Sequence, residues 1–371
     1  MRLSLGRADA ILIGLLGALV LGGALMFSSA AAGLLARGGS QISGVMFNHL
    51  VLGVGLGLVG LLVMYSIDYR VWRTYAPYIF AIGLVATALV FIPGLGFEHG
   101  GGRRWLDLGF TTIQPSEFLK LAGVIMAASI FALLRNDAAD WKGAAAFLGL
   151  VAAPGLLLAM QPDFGTLGII TISVFSVAIA AGLRLRYIAL LAIAGILFLA
   201  VLSFTPRYAY VYERFETFFL PQQQDERGDL FQVKQSLIAI GAGGAVGVGL
   251  GQSLQKFTYL PEPMGDSIFA VIAEELGFLG SSFTVVLFLL FAVRGYSIAA
   301  RTPDLFGALL AVGISSYLVG EAFINIAAML GMIPLTGIPL TFISQGGSAM
   351  LASLASAGIL LNISRHVKKN A

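Results

Sequence analysis

Long apolar runs alternate with short polar stretches along most of this chain. Each run has about 18 residues or more, which is enough for a helix to cross the hydrocarbon core of a bilayer, roughly 30 Å thick. We therefore predict an all-α polytopic membrane protein with ten transmembrane helices. The predicted spans are residues 9–31, 46–66, 76–93, 116–134, 143–160, 165–183, 186–204, 267–293, 305–331 and 342–364.

One connection, residues 205–266 between spans seven and eight, is far longer than the others. Its first part, "RYAYVYERFETFFLPQQQDERGD", is charged, and its second part, "QSLIAIGAGGAVGVGLGQSLQ", is glycine-rich and weakly apolar. The second part is typical of an interfacial or half-inserted segment. No Lys-Ser/Thr pair follows its glycines and no predicted strand precedes them, so they form neither a P-loop nor a dinucleotide motif. We predict that the glycines serve close backbone packing and that no nucleotide binds.

Composition supports an integral membrane protein with one domain, residues 1–371. Hydrophobic residues make up 58% of the chain, charged residues 11%, and the mean hydropathy is +0.91. Soluble domains carry about 25% charged residues. The absence of cysteine excludes disulfides and thiolate metal sites, and three histidines disfavour a histidine metal site. The net charge of +3 gives no indication of nucleic-acid binding.

Basic residues predict the orientation of the spans. With a cytoplasmic N-terminus, 13 Lys and Arg residues fall in cytoplasmic segments and 3 in the short loops opposite. This bias predicts that both termini are cytoplasmic and that the long connection is extracytoplasmic. The 13 are Arg2, Arg7, Arg70, Arg73, Arg135, Lys142, Arg184, Arg186, Arg294, Arg301, Arg365, Lys368 and Lys369, and the 3 are Arg37, Arg103 and Arg104.

Polar clusters gather on the predicted extracytoplasmic side. They are residues 100–120, 161–166, 331–348 and the long connection with the adjoining "LPEPMGDSIFAVIAEELGFLG". Proline, glycine and polar side chains at membrane depth are tolerated only where they line a cavity or are buried in protein. We therefore predict one polar cavity that opens on this side.

Asp266 is the leading candidate for chemistry, because it precedes the helix "SIFAVIAEEL" at the mouth of the predicted cavity. The structural alternative is a capping carboxylate that accepts hydrogen bonds from free backbone N–H groups. Glu274 and Glu275 lie two turns deeper, about 12 Å along the axis. Ionisable groups there usually face the bundle interior with partners, so we interpret both as structural.

The other polar candidates also have structural alternatives. Glu117 and Lys120 are three residues apart and can pair on one helix face, or they can form a cavity wall. Asp163 is a turn residue by composition. Glu321 and Asn325 are one turn apart and are typical of interhelical hydrogen bonding.

Several long motifs resemble the SEDS family of bacterial membrane proteins, the group that contains FtsW, RodA and SpoVE. They are "RRWLDLG", "IQPSEFLKLA", "QPDFGT", "FQVKQSLIAIGAGGAVGVGLGQS", "YLPEPMGDSIFAVIAEELGFLG" and "INIAAMLGMIPLTGIPLTFISQGGSAML". The wording around "KFTYLPEP" and "EELGF" is more similar to the division branch, FtsW, than to the elongation branch. Met264 and Gly265 stand where the family commonly has His-Thr, and Thr341 and Gln345 also depart from its pattern, so local substrate contacts are expected to differ.

The resemblance implies ten spans, residence in the bacterial cytoplasmic membrane, and peptidoglycan glycosyltransferase activity. The implied substrate is lipid II, a disaccharide-pentapeptide on undecaprenyl pyrophosphate, and the implied partner is a class B penicillin-binding protein transpeptidase. The catalytic aspartate of the family falls on Asp266, which we expect to act as general base in an inverting displacement. Two alternatives remain open: a lipid II flippase, and a scaffold that recruits the transpeptidase without catalysis.

Leaving-group charge requires cations or a metal ion. The candidate cations are Arg103, Arg104, Lys120, Lys234 and Lys256, and Glu117, Asp163, Glu262 and Ser344 complete the predicted substrate-binding set. A divalent cation, Mg²⁺ or Mn²⁺, is the alternative to basic side chains, since both ions accept oxygen ligands.

Overall fold

The computed structural model describes residues 8–36, 42–99, 102–107, 109, 111–203, 218 and 228–367, and the chain is mostly helical. The helices before the long connection are α1 Ala10–Ala36, α2 Ile42–Met46, α3 Leu56–Ser66, α4 Arg70–Ala88, α5 Pro115–Leu134, α6 Trp141–Met160, α7 Phe164–Ala180 and α8 Leu185–Ser203. Those after it are α9 Asp229–Ala242, α10 Gln255–Thr258, α11 Ile268–Arg301, α12 Leu305–Met329 and α13 Gly347–Ser364. A π-helix, Phe47–Gly55, joins α2 to α3.

The prediction of a polytopic helical membrane protein is confirmed. Within the described residues, eight helical segments are long and apolar enough to cross a membrane, and two shorter apolar helices occupy the sixth and seventh predicted spans. The count of ten spans and their orientation stay predictions. The charged first part of the long connection lies outside the described residues apart from Phe218 and its last two positions. The same holds for Arg2, Arg7, Arg37, Lys368 and Lys369, which were used to predict the orientation.

A small antiparallel sheet interrupts the otherwise helical fold. Strands β1 Gly96–His99, β2 Gly102–Asp107 and β3 Thr112–Ile113 form it in the order β1-β2-β3, with Phe97 opposite Trp105. From the sequence, this stretch was predicted only as a polar cluster in an all-α protein. Its strands are too short to produce a clear alternation of apolar and polar residues, which is the usual signal of a strand.

The eighth predicted span is present within the helical segment Ile268–Arg301, but this segment is not one continuous helix. Helix α11 has 34 residues, but Gly277 has φ 67° and ψ −164°, so the helix is broken after its first nine residues. Four hydrogen bonds join the glycine-rich segment 244–249 to the break: the N–H groups of Val248 and Gly249 donate to the carbonyls of Glu274 and Glu275, and those of Phe278 and Leu279 donate to residues 244 and 245. Backbone groups that a broken helix leaves free are thus satisfied by a neighbouring segment.

Glycine is required at this contact because the two backbones touch. A Cβ at Gly247 would overlap the carbonyl oxygen of Glu275, and one at Gly243 would overlap the carbonyl oxygen of Ala273. The predicted role of the glycines in backbone packing is therefore confirmed. Val246 nearby is exposed, as are Phe278 and Leu279 of α11, so apolar side chains surround the joined segments on their outer face.

Helices α5, α12 and α13 form the centre of the bundle. They are the most buried candidate spans, with about 70% of each apolar window inside the protein: 67% for α5 and 72% for α12 and α13. Helix α12 packs against α5, α7 and α11, while α13 packs against α3. The charged residues Glu117 and Lys120 of α5 and Glu321 of α12 are consequently buried in the protein.

Candidate functional site

Polar segments that are distant in sequence meet at one end of the bundle. Arg104 of β2 donates from Nη2 to the carbonyl of Pro162 at 2.6 Å, which joins the first cluster to the second. The backbone N–H of Gln345 donates to the carbonyl of Met264 at 2.7 Å, which joins the fourth cluster to the third. The polar clusters therefore meet in these two pairs, and the single cavity that opens on the extracytoplasmic side stays a prediction.

A cavity of about 70 Å³ lies where these segments meet. Strand β2, the N-terminal turns of α5 and α7, helix α12 and the loop after α12 surround it. Its lining residues are Arg104, Trp105, Gln114, Glu117, Lys120, Asp163, Thr166, Ile169, Glu321, Gly337, Ile338 and Pro339. Such a volume is small compared with typical ligand clefts, which measure about 300–1,000 Å³.

Lys120 lies between two carboxylates beside this cavity. Its Nζ is 2.7 Å from Glu117 Oε2 and 2.8 Å from Glu321 Oε1, and all three side chains are at most 3% exposed. The predicted Glu117–Lys120 pair is therefore present, and Glu321 is a second partner. Because two negative groups surround one positive group, this cluster has no excess positive charge for a substrate phosphate. Binding of substrate by Lys120 stays a prediction.

The two consecutive arginines of β2 have different environments. Successive side chains of a strand point to opposite faces. Arg104 lines the cavity and binds the backbone of residues 161 and 162, whereas Arg103 is half-exposed and pairs with Glu98 at 3.3 Å. Of this pair, Arg104 is the better placed cation for a ligand in the cavity.

Asp163 has a clear structural role in addition to its position at the cavity. It is the N-cap of α7, where its Oδ1 accepts a hydrogen bond from the Thr166 N–H at 3.1 Å. Its Oδ2 accepts a hydrogen bond from Gln114 Nε2 at 3.4 Å. The turn residue predicted from composition is thus a helix cap.

Asp266 lies one residue before Ser267, the N-cap of α11, in a turn with several supporting hydrogen bonds. Its carboxylate Oδ1 accepts a hydrogen bond from Gln232 Nε2 at 2.9 Å. Asn325 donates to its backbone carbonyl at 2.7 Å, and the Ser344 hydroxyl donates to the carbonyl of Gly265 at 2.6 Å. These contacts fix the main chain at residues 265 and 266 and give the carboxylate a defined partner.

The surroundings of Asp266 suit a proton acceptor. Burial, and then the negative charge of Glu262, raise the pKa of Asp266 to about 6, although hydrogen bonds from Gln232 and from nearby backbone N–H groups oppose the rise. A carboxylate with such a pKa is charged at pH 7 and is a stronger base than an ordinary aspartate. Glu262 itself is exposed, with a left-handed backbone at φ 43°.

Asp266 is absent from the lining of the described cavity. Asn325 connects the two places, because its Nδ2 also donates to the carbonyl of Ile338, a cavity residue, at 2.8 Å. Glu321, one turn earlier on α12, contacts the cavity directly. Asp266 and the cavity are therefore adjacent and linked through Asn325, but they do not form a single enclosed pocket.

Glu274 and Glu275 hold the broken helix against its neighbours, as predicted. Glu275 pairs with Lys256 at 2.5 Å and accepts hydrogen bonds from the Ser29 hydroxyl, and Glu274 accepts hydrogen bonds from Ser253 and from the backbone N–H of Leu254. Lys256 has no exposed surface. Its charge serves the fold, and its predicted contact with substrate stays a prediction, as does that of the exposed Lys234 on α9.

Gln232, which contacts the carboxylate of Asp266, was not predicted from the sequence. It lies within the motif "FQVKQSLIAIG", but a neutral side chain in a weakly apolar stretch gives no signal of its own. Its partner is 34 residues away.

Among the described residues, no three His, Cys, Asp or Glu side chains are grouped to hold a metal ion. The carboxylates beside the cavity are either paired with Lys120 or used as a helix cap. These residues do not form a metal site by themselves.

Comparison with known proteins gives consistent matches over almost the whole chain. The profile of the FtsW/RodA/SpoVE family, described as "Cell cycle protein", matches residues 9–369. Stage V sporulation protein E of Bacillus subtilis is 38% identical over 318 residues, which cover 85% of this chain and 86% of that protein. The probable peptidoglycan glycosyltransferase FtsW of Trichlorobacter lovleyi is 36% identical over 98% of this chain and 95% of that protein.

Three further matches are one curated relative and two solved structures. Peptidoglycan glycosyltransferase MrdB of Escherichia coli K12 is 36% identical over 85% of this chain and 84% of that protein. Among solved structures, a chain of a peptidoglycan synthase complex, described as coordinating polymerization and crosslinking, has a TM-score of 0.80 at 29% identity and covers 96% of this chain and 98% of its own length. The rod shape determining protein RodA of Thermus thermophilus has a TM-score of 0.70 at 25% identity, covering 98% of both chains.

Proposed function

Because this chain belongs to the FtsW/RodA/SpoVE family of cell cycle proteins, we propose that it is a peptidoglycan glycosyltransferase with Asp266 as its general base. The observation that supports this proposal most directly is the environment of Asp266. Its carboxylate is desolvated, one of its oxygens accepts a hydrogen bond from Gln232, and it lies just before the N-terminus of the broken helix α11. We propose lipid II as the substrate and the extracytoplasmic face as the site of reaction.

The proposed reaction joins two lipid-linked sugars. The carboxylate of Asp266 removes the proton from a hydroxyl of one lipid II, and that oxygen forms a bond to the anomeric carbon of the next. The bond between this carbon and the pyrophosphate oxygen breaks, and undecaprenyl pyrophosphate leaves with the electron pair. A single displacement inverts the anomeric configuration. The proton on Asp266 is then returned to solvent or to the leaving group.

Arg104 is the described cation best placed to bind phosphate oxygens in this scheme. Its guanidinium already donates to two backbone carbonyls, so it is oriented before substrate arrives. A divalent ion, Mg²⁺ or Mn²⁺, would have to be held largely by the pyrophosphate itself, because Mg²⁺ is commonly bound through one or two carboxylates plus substrate phosphates. Polymerisation that is unchanged by a chelator would exclude this ion.

We further propose a class B penicillin-binding protein transpeptidase as partner. The similarity to a chain of a peptidoglycan synthase complex supports this proposal. The relatives named stage V sporulation protein E, FtsW and MrdB are 34–38% identical to this chain, so assignment to the division branch rests on the motif wording alone.

The test is polymerisation of purified lipid II by Asp266→Asn and by wild type, with the transpeptidase present. Asparagine has nearly the same shape and keeps an oxygen that can accept the Gln232 hydrogen bond, but it cannot accept the proton. We expect the rate to fall by about 10²–10⁴-fold. At pH 7 we expect a melting temperature at or above that of wild type, because the variant no longer holds a desolvated charge beside Glu262.

Near-normal glycan synthesis by Asp266→Asn would contradict the assignment of the base. Glu117→Gln and Asp163→Asn would then identify the carboxylate in its place.

A further inference from the structure

The main chain and the side chain of Asp266 are held by different elements. Its backbone is fixed by Asn325 on α12 and by Ser344 and Gln345 in the loop before α13, through hydrogen bonds of 2.6–2.7 Å to the carbonyls of residues 264–266. None of these contacts reaches the carboxylate. A rigid backbone alone leaves a short side chain free to choose among its staggered rotamers.

Helix α9 supplies the side-chain contact with the carboxylate, in addition to hydrogen bonds from backbone N–H groups of the turn itself. The Gln232 amide nitrogen lies 2.9 Å from Asp266 Oδ1 and 2.9 Å from the hydroxyl oxygen of Ser267. Its two N–H groups can therefore bind both acceptors at once. Helix α9 packs against α11 and α12, so this amide belongs to an element different from those that hold the backbone of the turn.

We infer that Gln232 is a positioning residue, which holds Asp266 Oδ1 so that Oδ2 is left to accept the proton of the attacking hydroxyl. This inference rests on the proposed function of Asp266. A donor on one oxygen favours the charged carboxylate and at the same time selects its orientation. Both effects increase the fraction of molecules in which the base is ready to react.

The hydrogen bond from Gln232 matters because the other surroundings of Asp266 favour its protonated form. Glu262, on the same turn, is the charged side chain that acts on Asp266, while the other contacting elements contribute the neutral groups Gln232, Asn325 and Ser344. Burial and Glu262 both favour the protonated acid, and the hydrogen bond from Gln232 opposes them. Loss of this bond is expected to raise the pKa of Asp266 further.

The test compares Gln232→Met, Gln232→Lys and the control Gln235→Met over a range of pH. Methionine has a similar length without a donor, whereas lysine keeps a donor and adds a positive charge. Gln235 is on the same helix and makes no hydrogen bond to Asp266 among the described residues. The measurements are kcat and KM for polymerisation in the presence of the transpeptidase.

We expect the acidic limb of the kcat profile to move upward by about one pH unit in Gln232→Met, since hydrogen bonds to charged groups have that magnitude. In Gln232→Lys the limb should move below the wild-type position, and in Gln235→Met it should not move. KM should change little in all three. A loss of activity that is equal at every pH, with an unmoved limb, would overturn the inference, because it indicates structural damage only.

A second readout does not require turnover. Infrared difference spectra between each variant and the same variant carrying Asp266→Asn report the protonation of this one carboxyl. Shifts in opposite directions for methionine and lysine support the positioning role, and unshifted titrations overturn it. If Asp266→Asn itself polymerises normally while these titrations shift, the proposed function fails and the Gln232 contact stands as a structural one.

Discussion

The protonation state of Asp266 sets the pH range in which the proposed chemistry can occur. With a pKa of about 6 the base is lost as pH falls, so kcat is expected to decline below about pH 6. The effect on stability has the opposite sign, because a raised carboxyl pKa favours the protonated folded state. The free energy of unfolding should therefore carry a growing penalty as pH rises from the ordinary value of 3.8 to about 6.

Glu262→Gln is expected to lower the pH of the acidic limb by less than one unit. The substitution removes a negative neighbour, but Glu262 is exposed and water screens its field. Glu98→Gln is the matched control, because Glu98 is also exposed and pairs with Arg103 instead. The pH dependence of kcat for the two variants measures the difference. Equal shifts would show that Glu262 does not act on Asp266 specifically.

Lys120→Met tests whether the buried charges beside the cavity serve the fold or the substrate. The variant leaves Glu117 and Glu321 without their counter-charge, and removal of one partner from a buried ion pair costs about 3–5 kcal/mol. We expect a large loss of unfolding free energy in detergent, which is partly recovered when Glu117→Gln and Glu321→Gln are added.

Lys142→Met is the control for this experiment, since the ion pair of Lys142 with Asp137 is half-exposed and should change stability little. A Lys120→Met protein with wild-type stability and no polymerisation would favour the substrate-binding role instead.

Local spacing predicted some of these contacts and not others. Glu117 and Lys120 are one turn apart, so their pairing follows from helix geometry. Glu321 is 201 residues from Lys120, and Gln232 is 34 residues from Asp266, so neither partner could be identified before the helices were packed together. Arg103 and Arg104 could not be ranked as ligand-binding cations from sequence, because strand β2, which places their side chains on opposite faces, was not predicted.

At the scale of elements, the break in α11 depends on a second segment. The apolar run predicted a span at 267–293 without a break. The sequence pattern of a helix does not show that another segment, here 244–249, hydrogen-bonds between two of its turns. Gly277 was visible in the sequence, but a single glycine inside a helical pattern is also tolerated without a break. The predicted close packing of the glycine-rich segment was right, and the surface against which it packs was not predicted.

Gly247→Ala and Gly251→Ala are expected to separate backbone strain from backbone contact. Both glycines have left-handed backbones, with φ of 83° and 84°, so alanine costs a similar conformational free energy at each. Only at Gly247 would the new Cβ also overlap the carbonyl of Glu275, whereas at Gly251 the space is open. We expect Gly247→Ala to melt at a clearly lower temperature than Gly251→Ala. Equal melting temperatures would argue against the close contact between segment 244–249 and α11.

At the scale of the whole molecule, the class of protein was predictable because lipid imposes a strong requirement. Each backbone polar group in a bilayer must be satisfied internally, so long apolar runs can only be helices. Boundaries were less certain: the last predicted span, 342–364, begins later, at Gly347, because residues 342–346 form turns in which Phe342 has φ 64°. The small sheet was missed.

The orientation of the molecule is expected to follow the distribution of basic residues. The chain has no cysteine, so single cysteines at Glu98 in β1 and at Asp137 after α5 report without background. Both side chains are more than half exposed. In intact cells a membrane-impermeant maleimide should label Glu98→Cys and spare Asp137→Cys until the membrane is opened. The reverse pattern would invert the predicted topology.

The join between segment 244–249 and α11 also constrains the order of biosynthesis. Residues 244–249 leave the ribosome about 30 residues before the carbonyls and N–H groups at positions 274–279 that pair with them. During that interval their own polar backbone needs water, since lipid offers no substitute. The glycine-rich segment can therefore take its final place only after the first turns of α11 have been made. The turn that carries Asp266 is completed later still, because its partners Asn325 and Ser344 are made after it.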